Sequence, residues 1–263
     1  MTLADRYDAL LLDLDGVLYR GDQTVAGAPG TLAALREAGH RIAFVTNNSA
    51  RTPEEVAAKL RSHGFGADAE EVVTSALATA DLLAARGGGA AFVVGERGIR
   101  DALSKAGLRV LDGEPAQAEF VVVGWDRKVD YEKLRTACLL VQRGALLVAT
   151  NADASFPAPD GFWPGAGAIL SVITMTTGVR AEVIGKPNPH LYRSALQRTG
   201  GRHPLVVGDR LETDIVGAAA LGWDSLLVLS GVTDETTLDA ASVRPTYVAS
   251  DVSALLGDPP PRM

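Results

Sequence analysis

The feature that most constrains this chain is a repeated alternation of short apolar runs with segments of helix length. Runs at residues 9–14, 41–46, 90–94, 120–123, 146–150, 204–207 and 225–229 read as strands. Segments such as 53–63, 75–85, 131–143 and 190–199 read as helices, the first opening at Pro53 after Thr52. Strands that alternate with helices in this way build an α/β fold around a largely parallel sheet. With 263 residues the chain can bury the core of one large domain or two modest ones. Two breaks favour two. Gly87 to Gly89 interrupt the pattern just after a helix, and Thr177-Gly178 interrupt it again before the segment leading to Lys186. An inserted domain is expected at about residues 80–179, with residues 1–79 and 180–263 folding together as the main domain.

Composition narrows the function classes. Hydrophobic residues at 47% and charged residues at 22% describe an ordinary folded, soluble protein. A net charge of -7 and a pI near 5.1 oppose broad association with nucleic acid or an anionic membrane, both of which require clustered positive charge. The single cysteine, Cys138, shares one apolar helical face with Tyr131, Leu134 and Val141, which makes it a core residue, and no intrachain disulfide can form. The first residues lack the pattern of a secretory signal, no apolar stretch reaches membrane-spanning length, and the cytoplasm is the expected location. His40, His63, His190 and His203 show no metal-binding spacing.

Ligands of open parallel sheets bind beyond the carboxyl ends of the strands, and polar residues gather there in this chain. The strongest signal is Leu11-Leu12-Asp13-Leu14-Asp15-Gly16-Val17, a strand that delivers two carboxylates just before a glycine. While the chain stays extended, Asp13 and Asp15 share one side, although a turn at Gly16 can swing Asp15 away. One such carboxylate can attack a phosphoryl group while the other moves protons to the leaving alcohol and from water. Magnesium, which favours oxygen ligands, would offset the repulsion between them and hold a substrate phosphate. Phe44-Val45-Thr46-Asn47-Asn48-Ser49 supplies a hydroxyl, two amides and backbone donors suited to phosphate oxygens. Lys186 stands out because the chain has 5 Lys against 20 Arg, and a compact ammonium can neutralise both a nucleophile and a transferring phosphoryl group. The run through Gly208-Asp209 to Asp214 ends another apolar strand in acids. Asp209 is placed to complete a magnesium site, and Asp214 either ligates the metal or orients its waters.

The ordered set Asp13-Leu14-Asp15-Gly16-Val17, Thr46-Asn47-Asn48, Gly185-Lys186-Pro187 and Gly208-Asp209 through Asp214 resembles the haloacid dehalogenase superfamily of hydrolases over nearly the whole chain. The long insertion is similar to that of the NagD-like subfamily, which includes nucleotide, phosphoglycolate, glycerol-phosphate and pyridoxal-phosphate phosphatases. Val122-Val123-Gly124-Trp125-Asp126, Thr150-Asn151-Ala152-Asp153 and Pro164-Gly165-Ala166-Gly167 resemble its cap segments. The resemblance implies a Rossmann-like parallel-sheet core with an inserted α/β cap domain. It makes Asp13 the nucleophile and Asp15 the general acid and base, with Thr46, Asn47 and Lys186 binding phosphate. It implies magnesium on the Asp13 side chain, the Asp15 backbone carbonyl and Asp209, supported by Asp214. Asn48, Trp125 and Phe156 are substrate-facing candidates, the two aromatics serving equally well as packing residues. A homodimer through the cap is a further implication.

The expected function is therefore magnesium-dependent hydrolysis of a small phosphorylated metabolite: glycerol phosphate, phosphoglycolate, a sugar phosphate or a nucleotide. Two alternatives stand beside it. Carbon–halogen hydrolysis needs the attacking carboxylate but has no use for the acid that Asp15 offers. A noncatalytic phosphometabolite-binding module would keep the scaffold without turnover.

Overall fold

The apolar runs become the interior strands of two sheets in a computed structural model of the protein, which describes residues 1–158 and 160–263. In chain order the first strands are β1 (Ala9–Leu12), β2 (Tyr19–Arg20), β3 (Gln23–Thr24), β4 (Ile42–Thr46) and β5 (Val72–Thr74). Next come β6 (Ala90–Val94), β7 (Arg109–Leu111), β8 (Phe120–Val123), β9 (Leu146–Ala149), β10 (Ser155–Ala158), β11 (Gly161–Pro164) and β12 (Glu182–Val183). The last are β13 (Pro204–Gly208), β14 (Asp224–Val228) and β15 (Tyr247–Ala249).

The chain divides into two units. The first comprises residues 1–46, 54–73 and 186–263, and the second comprises residues 47–53 and 74–185. The second therefore runs beyond the expected 80–179 at both ends. The glycine triplet that suggested a boundary instead ends the helix Ser75–Ala85, whose N-cap Thr74 accepts from the Leu77 N–H, and that whole helix belongs to the second unit. Gly178, with φ of 72°, likewise caps the helix Ala166–Thr177 before the chain adds β12 to the same unit.

The first unit is Rossmann-like, with a six-stranded sheet in the order β15-β14-β13-β1-β4-β5. Central β1 pairs in parallel with β13 and β4, setting Leu11 opposite Val206 and Ala43. All four residues of β1 are buried, as expected for a strand covered on both faces. Leu10, Leu12, Phe44, Leu205, Val207, Leu226 and Val228 join one core with Leu32, Leu35, Val56 and Leu60 from flanking helices. Each such side chain contributes roughly 1.5–3 kcal/mol by leaving water.

The second unit has a five-stranded sheet, β12-β9-β8-β6-β7, and the hairpin β10-β11. Its core holds Phe92, Val94, Val121, Val123, Leu147 and Ala149 with Leu140, Val141 and Ile173. Cys138 is buried among them, where its helical spacing put it. No described helix is long and apolar enough to cross a membrane.

Candidate active site

Parallel neighbours end on the same edge of a sheet, and this register collects the acids. Leu12 lies opposite Val207, so β1 and β13 deliver Asp13 and Asp209 side by side. The Asp13 N–H extends the ladder by donating to the Val207 carbonyl at 2.8 Å. After β13 the chain makes a π-helical turn, Leu211–Ile215, a device that often re-aims a side chain at a functional site. Here it points Asp214 back toward the strand, where Asp214 Oδ2 accepts from the Arg210 N–H at 3.2 Å. Gly208 makes this possible, since a Cβ there would fall on the Asp214 side chain.

Lys186 completes the arrangement. Its Nζ donates to Asp13 Oδ1 at 2.7 Å and to Asp214 Oδ1 at 2.8 Å, and its side chain is only 3% exposed. The helix Pro189–Thr199 that follows supplies Tyr192, whose buried hydroxyl donates to Asp214 Oδ1 at 3.1 Å. Burial and the Asp214 carboxylate push the Tyr192 hydroxyl well above its ordinary pKa, which keeps it a neutral donor. Burial works against the Lys186 ammonium, but Asp13 and Asp214 outweigh it and its pKa rises. Burial pushes Asp13 up to about 8, aided by Asp214 and Asp209 and opposed by Lys186. Asp209 is pushed up to about 6 by burial and then by Asp214, against the Val232 N–H.

Burial leads the shifts of Asp13, Asp209 and Tyr192, and the neighbouring acids add to them. Three carboxylates face one ammonium, and the cluster is short of positive charge. Asp13, Asp209 and Asp214 each present an oxygen within 4.8 Å of the others. Asp209 Oδ1 is buried and has no hydrogen-bond partner among the described residues, while Oδ2 accepts from the Val232 N–H at 2.8 Å. A buried oxygen left unpaired in an all-carboxylate cluster fits a hard divalent cation such as magnesium.

The other sequence candidates fall in different surroundings. Asp15 is exposed and its side chain lies outside the three-carboxylate cluster. The strand stops at Leu12 and a bridge between Asp15 and Tyr19 turns the chain, so the alternation of an extended strand does not carry through to Asp15. Thr46 is buried at the end of β4. Asn47 and Asn48 belong to the second unit. There the Asn47 side-chain amide donates to the Asp153 carboxylate at 3.3 and 3.4 Å, and the Asn47 backbone carbonyl accepts from Ser75 Oγ at 2.7 Å and Asn151 Nδ2 at 2.8 Å. Asn48 Oδ1 accepts from the Ala50 N–H at 3.0 Å. Also in the second unit, Trp125 and Phe156 stack with ring centroids 4.3 Å apart, and the indole N–H donates to the Pro164 carbonyl at 3.0 Å. Tyr192, Ser230 and Gly231 surround the acids without having been legible as site residues. A Cβ at Gly231 would fall on the Asp209 carboxylate.

Comparison with known proteins identifies the family. A haloacid dehalogenase-like hydrolase family model matches residues 10–109, and a second, HAD-hydrolase-like model matches residues 183–255. The chain belongs to the haloacid dehalogenase-like hydrolase family. It is 42% identical over 253 residues to an acid sugar phosphatase of Staphylococcus saprophyticus, covering 95% of this chain and 97% of that protein. A glycerol phosphate phosphatase from Mycobacterium tuberculosis, solved in complex with magnesium, superposes with a TM-score of 0.93 at 39% identity. That match covers 98% of this chain and 79% of the other. A 4-nitrophenylphosphatase from Thermotoga maritima gives a TM-score of 0.90 at 33% identity, covering 97% and 98% of the two chains.

The electrostatics generate two expectations. Asp13 has its folded pKa raised from 3.8 to about 8, so its contribution to stability is full below 3.8 and is lost as pH rises through 8. A divalent cation binds the ionised form, so the rise in Tm on adding magnesium should be larger at about pH 8.5 than at about pH 6. Scanning fluorimetry at both values checks this, and a shift independent of pH contradicts it. Separately, Lys186→Met leaves Asp13 and Asp214 uncompensated and should lower stability by about 3–5 kcal/mol in metal-free denaturant melts.

Proposed function

We propose that this chain is a magnesium-dependent phosphatase of small phosphomonoesters that works through an aspartyl-phosphate on Asp13. The observation that carries the reading is the buried Lys186 ammonium shared by Asp13 and Asp214 beside an Asp209 oxygen with no partner among the described residues. It provides a carboxylate nucleophile, a counter-charge and a cation site at one sheet edge.

The chemistry proceeds in two displacements. An Asp13 oxygen attacks phosphorus, and the ester P–O bond breaks as Asp15, in its acid form, gives its proton to the departing alkoxide. Asp15 is then a carboxylate and takes a proton from water as that water attacks the phosphorus of the aspartyl-phosphate. The Asp13 O–P bond breaks, inorganic phosphate leaves and both residues are restored. The solvent exposure of Asp15 suits this role, because it must meet an alcohol and then a water. Lys186 holds Asp13 in place and balances negative charge as phosphorus is approached. Thr46 and Asn47 are assigned to the phosphate oxygens. Asp13, Asp209 and the Asp15 backbone carbonyl are the residues assigned to magnesium, with Asp214 in support. When bound, the ion draws charge from the phosphoryl oxygens and offsets their repulsion from the carboxylates.

The substrate class in this reading is glycerol phosphate, sugar phosphates, phosphoglycolate or nucleotides, supported by the sugar and glycerol phosphate phosphatases among the relatives. The second unit serves as the cap, with Asn48, Trp125 and Phe156 facing the substrate. The stacking of the two rings gives them a defined orientation for that purpose. Self-association through the cap is supported by exposed Phe162, Trp163, Val172 and Met175 on β11 and the helix Ala166–Thr177. A cytoplasmic location fits a chain whose one cysteine is free and buried.

The test is inorganic phosphate release from a panel of small phosphomonoesters, with magnesium and with chelator. Asp13→Asn should lower kcat by roughly a thousandfold or more while keeping the fold, since an amide is a poor nucleophile. Asp209→Asn should raise the magnesium concentration needed for half-maximal activity. Turnover that survives chelation, or that Asp13→Asn leaves intact, sinks the proposal.

A further inference from the structure

The turn after β14 reaches the acids by a route that motif spacing does not reveal. Ser230 is only 9% exposed, and its Oγ donates to the Gly16 carbonyl at 2.6 Å. Its own carbonyl accepts from Arg20 Nε. The next residue, Gly231, lies so close to Asp209 that a Cβ would fall on the carboxylate, and the same holds for Gly16. Val232 then donates its N–H to Asp209 Oδ2 at 2.8 Å, and Thr233 donates its N–H to the Asp209 carbonyl at 3.2 Å. One carboxylate is thus gripped between two glycines from distant parts of the sequence. The Ser230 hydroxyl ties the turn directly to the Gly16 backbone.

We propose that Ser230 is a positioning residue for Asp209 as a magnesium ligand. The inference rests on the reading of the Asp13, Asp209 and Asp214 cluster as the metal site. Closing the 230–233 turn onto Gly16 keeps Asp209 Oδ2 on the Val232 N–H and leaves Oδ1 as the buried oxygen with no partner among the described residues. Loss of the hydroxyl strands the Gly16 carbonyl and frees Gly231 to move away, so Asp209 gains rotational freedom that cation binding must then remove. Arg20 still holds the Ser230 carbonyl in such a variant, so the turn stays attached.

The experiment titrates magnesium into metal-free wild type, Ser230→Ala, Ser230→Thr and Asp209→Asn, read by calorimetry and by the magnesium-dependent rise in Tm. Ser230→Ala should weaken magnesium binding roughly tenfold, whereas Ser230→Thr, which keeps the hydroxyl, should stay within about twofold of wild type. In phosphatase assays the Ser230→Ala defect should shrink as magnesium is raised. Gly231→Ala, which drives a Cβ onto Asp209, should weaken binding at least as much and provides a second reading if Ser230→Ala fails to fold. Wild-type magnesium affinity in Ser230→Ala, with only a lower Tm, overturns the inference while leaving the metal site standing. Absence of magnesium binding by wild type overturns the site and the inference together.

Discussion

Everything at this sheet edge depends on one buried ammonium. Lys186 donates to Asp13 and Asp214 at once from a position almost closed to water. Three acids drawn together by strand register and a π-helical turn would repel one another, and a lysine alone at that depth would carry a desolvation cost of several kcal/mol. Together they form a cluster that is stable enough to fold and still short of positive charge. Burial, with repulsion from the neighbouring acids, pushes Asp13 and Asp209 upward, and the shortage of positive charge makes the cluster receptive to a divalent cation and a phosphate.

The sequence carried the interior of this architecture more clearly than its margins. The seven apolar runs correspond to β1, β4, β6, β8, β9, β13 and β14, each flanked by other strands. The sheet-edge strands β5, β7, β12 and β15 went unread, because two or three residues at a sheet margin leave no long apolar run to recognise. The site shows a similar split. Asp13, Asp209 and Asp214 were visible because charge after an apolar strand is conspicuous, and Lys186 because the chain has only 5 Lys against 20 Arg. Tyr192 was hidden as one more aromatic residue on a helix, and Ser230 and Gly231 act through a hydroxyl on a carbonyl and a missing side chain. Domain limits were blurred for a related reason: the glycine triplet at residues 87–89 marks where a helix stops, whereas the unit containing that helix starts earlier.

The loop after β4 is where the chain passes from the first unit to the second. Thr46 and Asn47 are adjacent in sequence, yet Thr46 belongs to the first unit and Asn47 to the second. Asn47 is held by Ser75, Asn151 and Asp153, the last two from the polar segment beyond β9 that resembles a cap segment. A short polar loop that looked like an appendage of one strand is fixed mainly by the neighbours of another sheet.

The glycines around the acids bear on how the gene can change. Any single-base missense change in a glycine codon installs a residue with a Cβ. At Gly16 and Gly231 that atom lands on the Asp209 carboxylate, and at Gly208 it lands on the Asp214 side chain. Three codons that specify no functional group are therefore closed to gentle replacement, and the lineage can explore new substrates by varying other positions while these remain pinned by the room two carboxylates need.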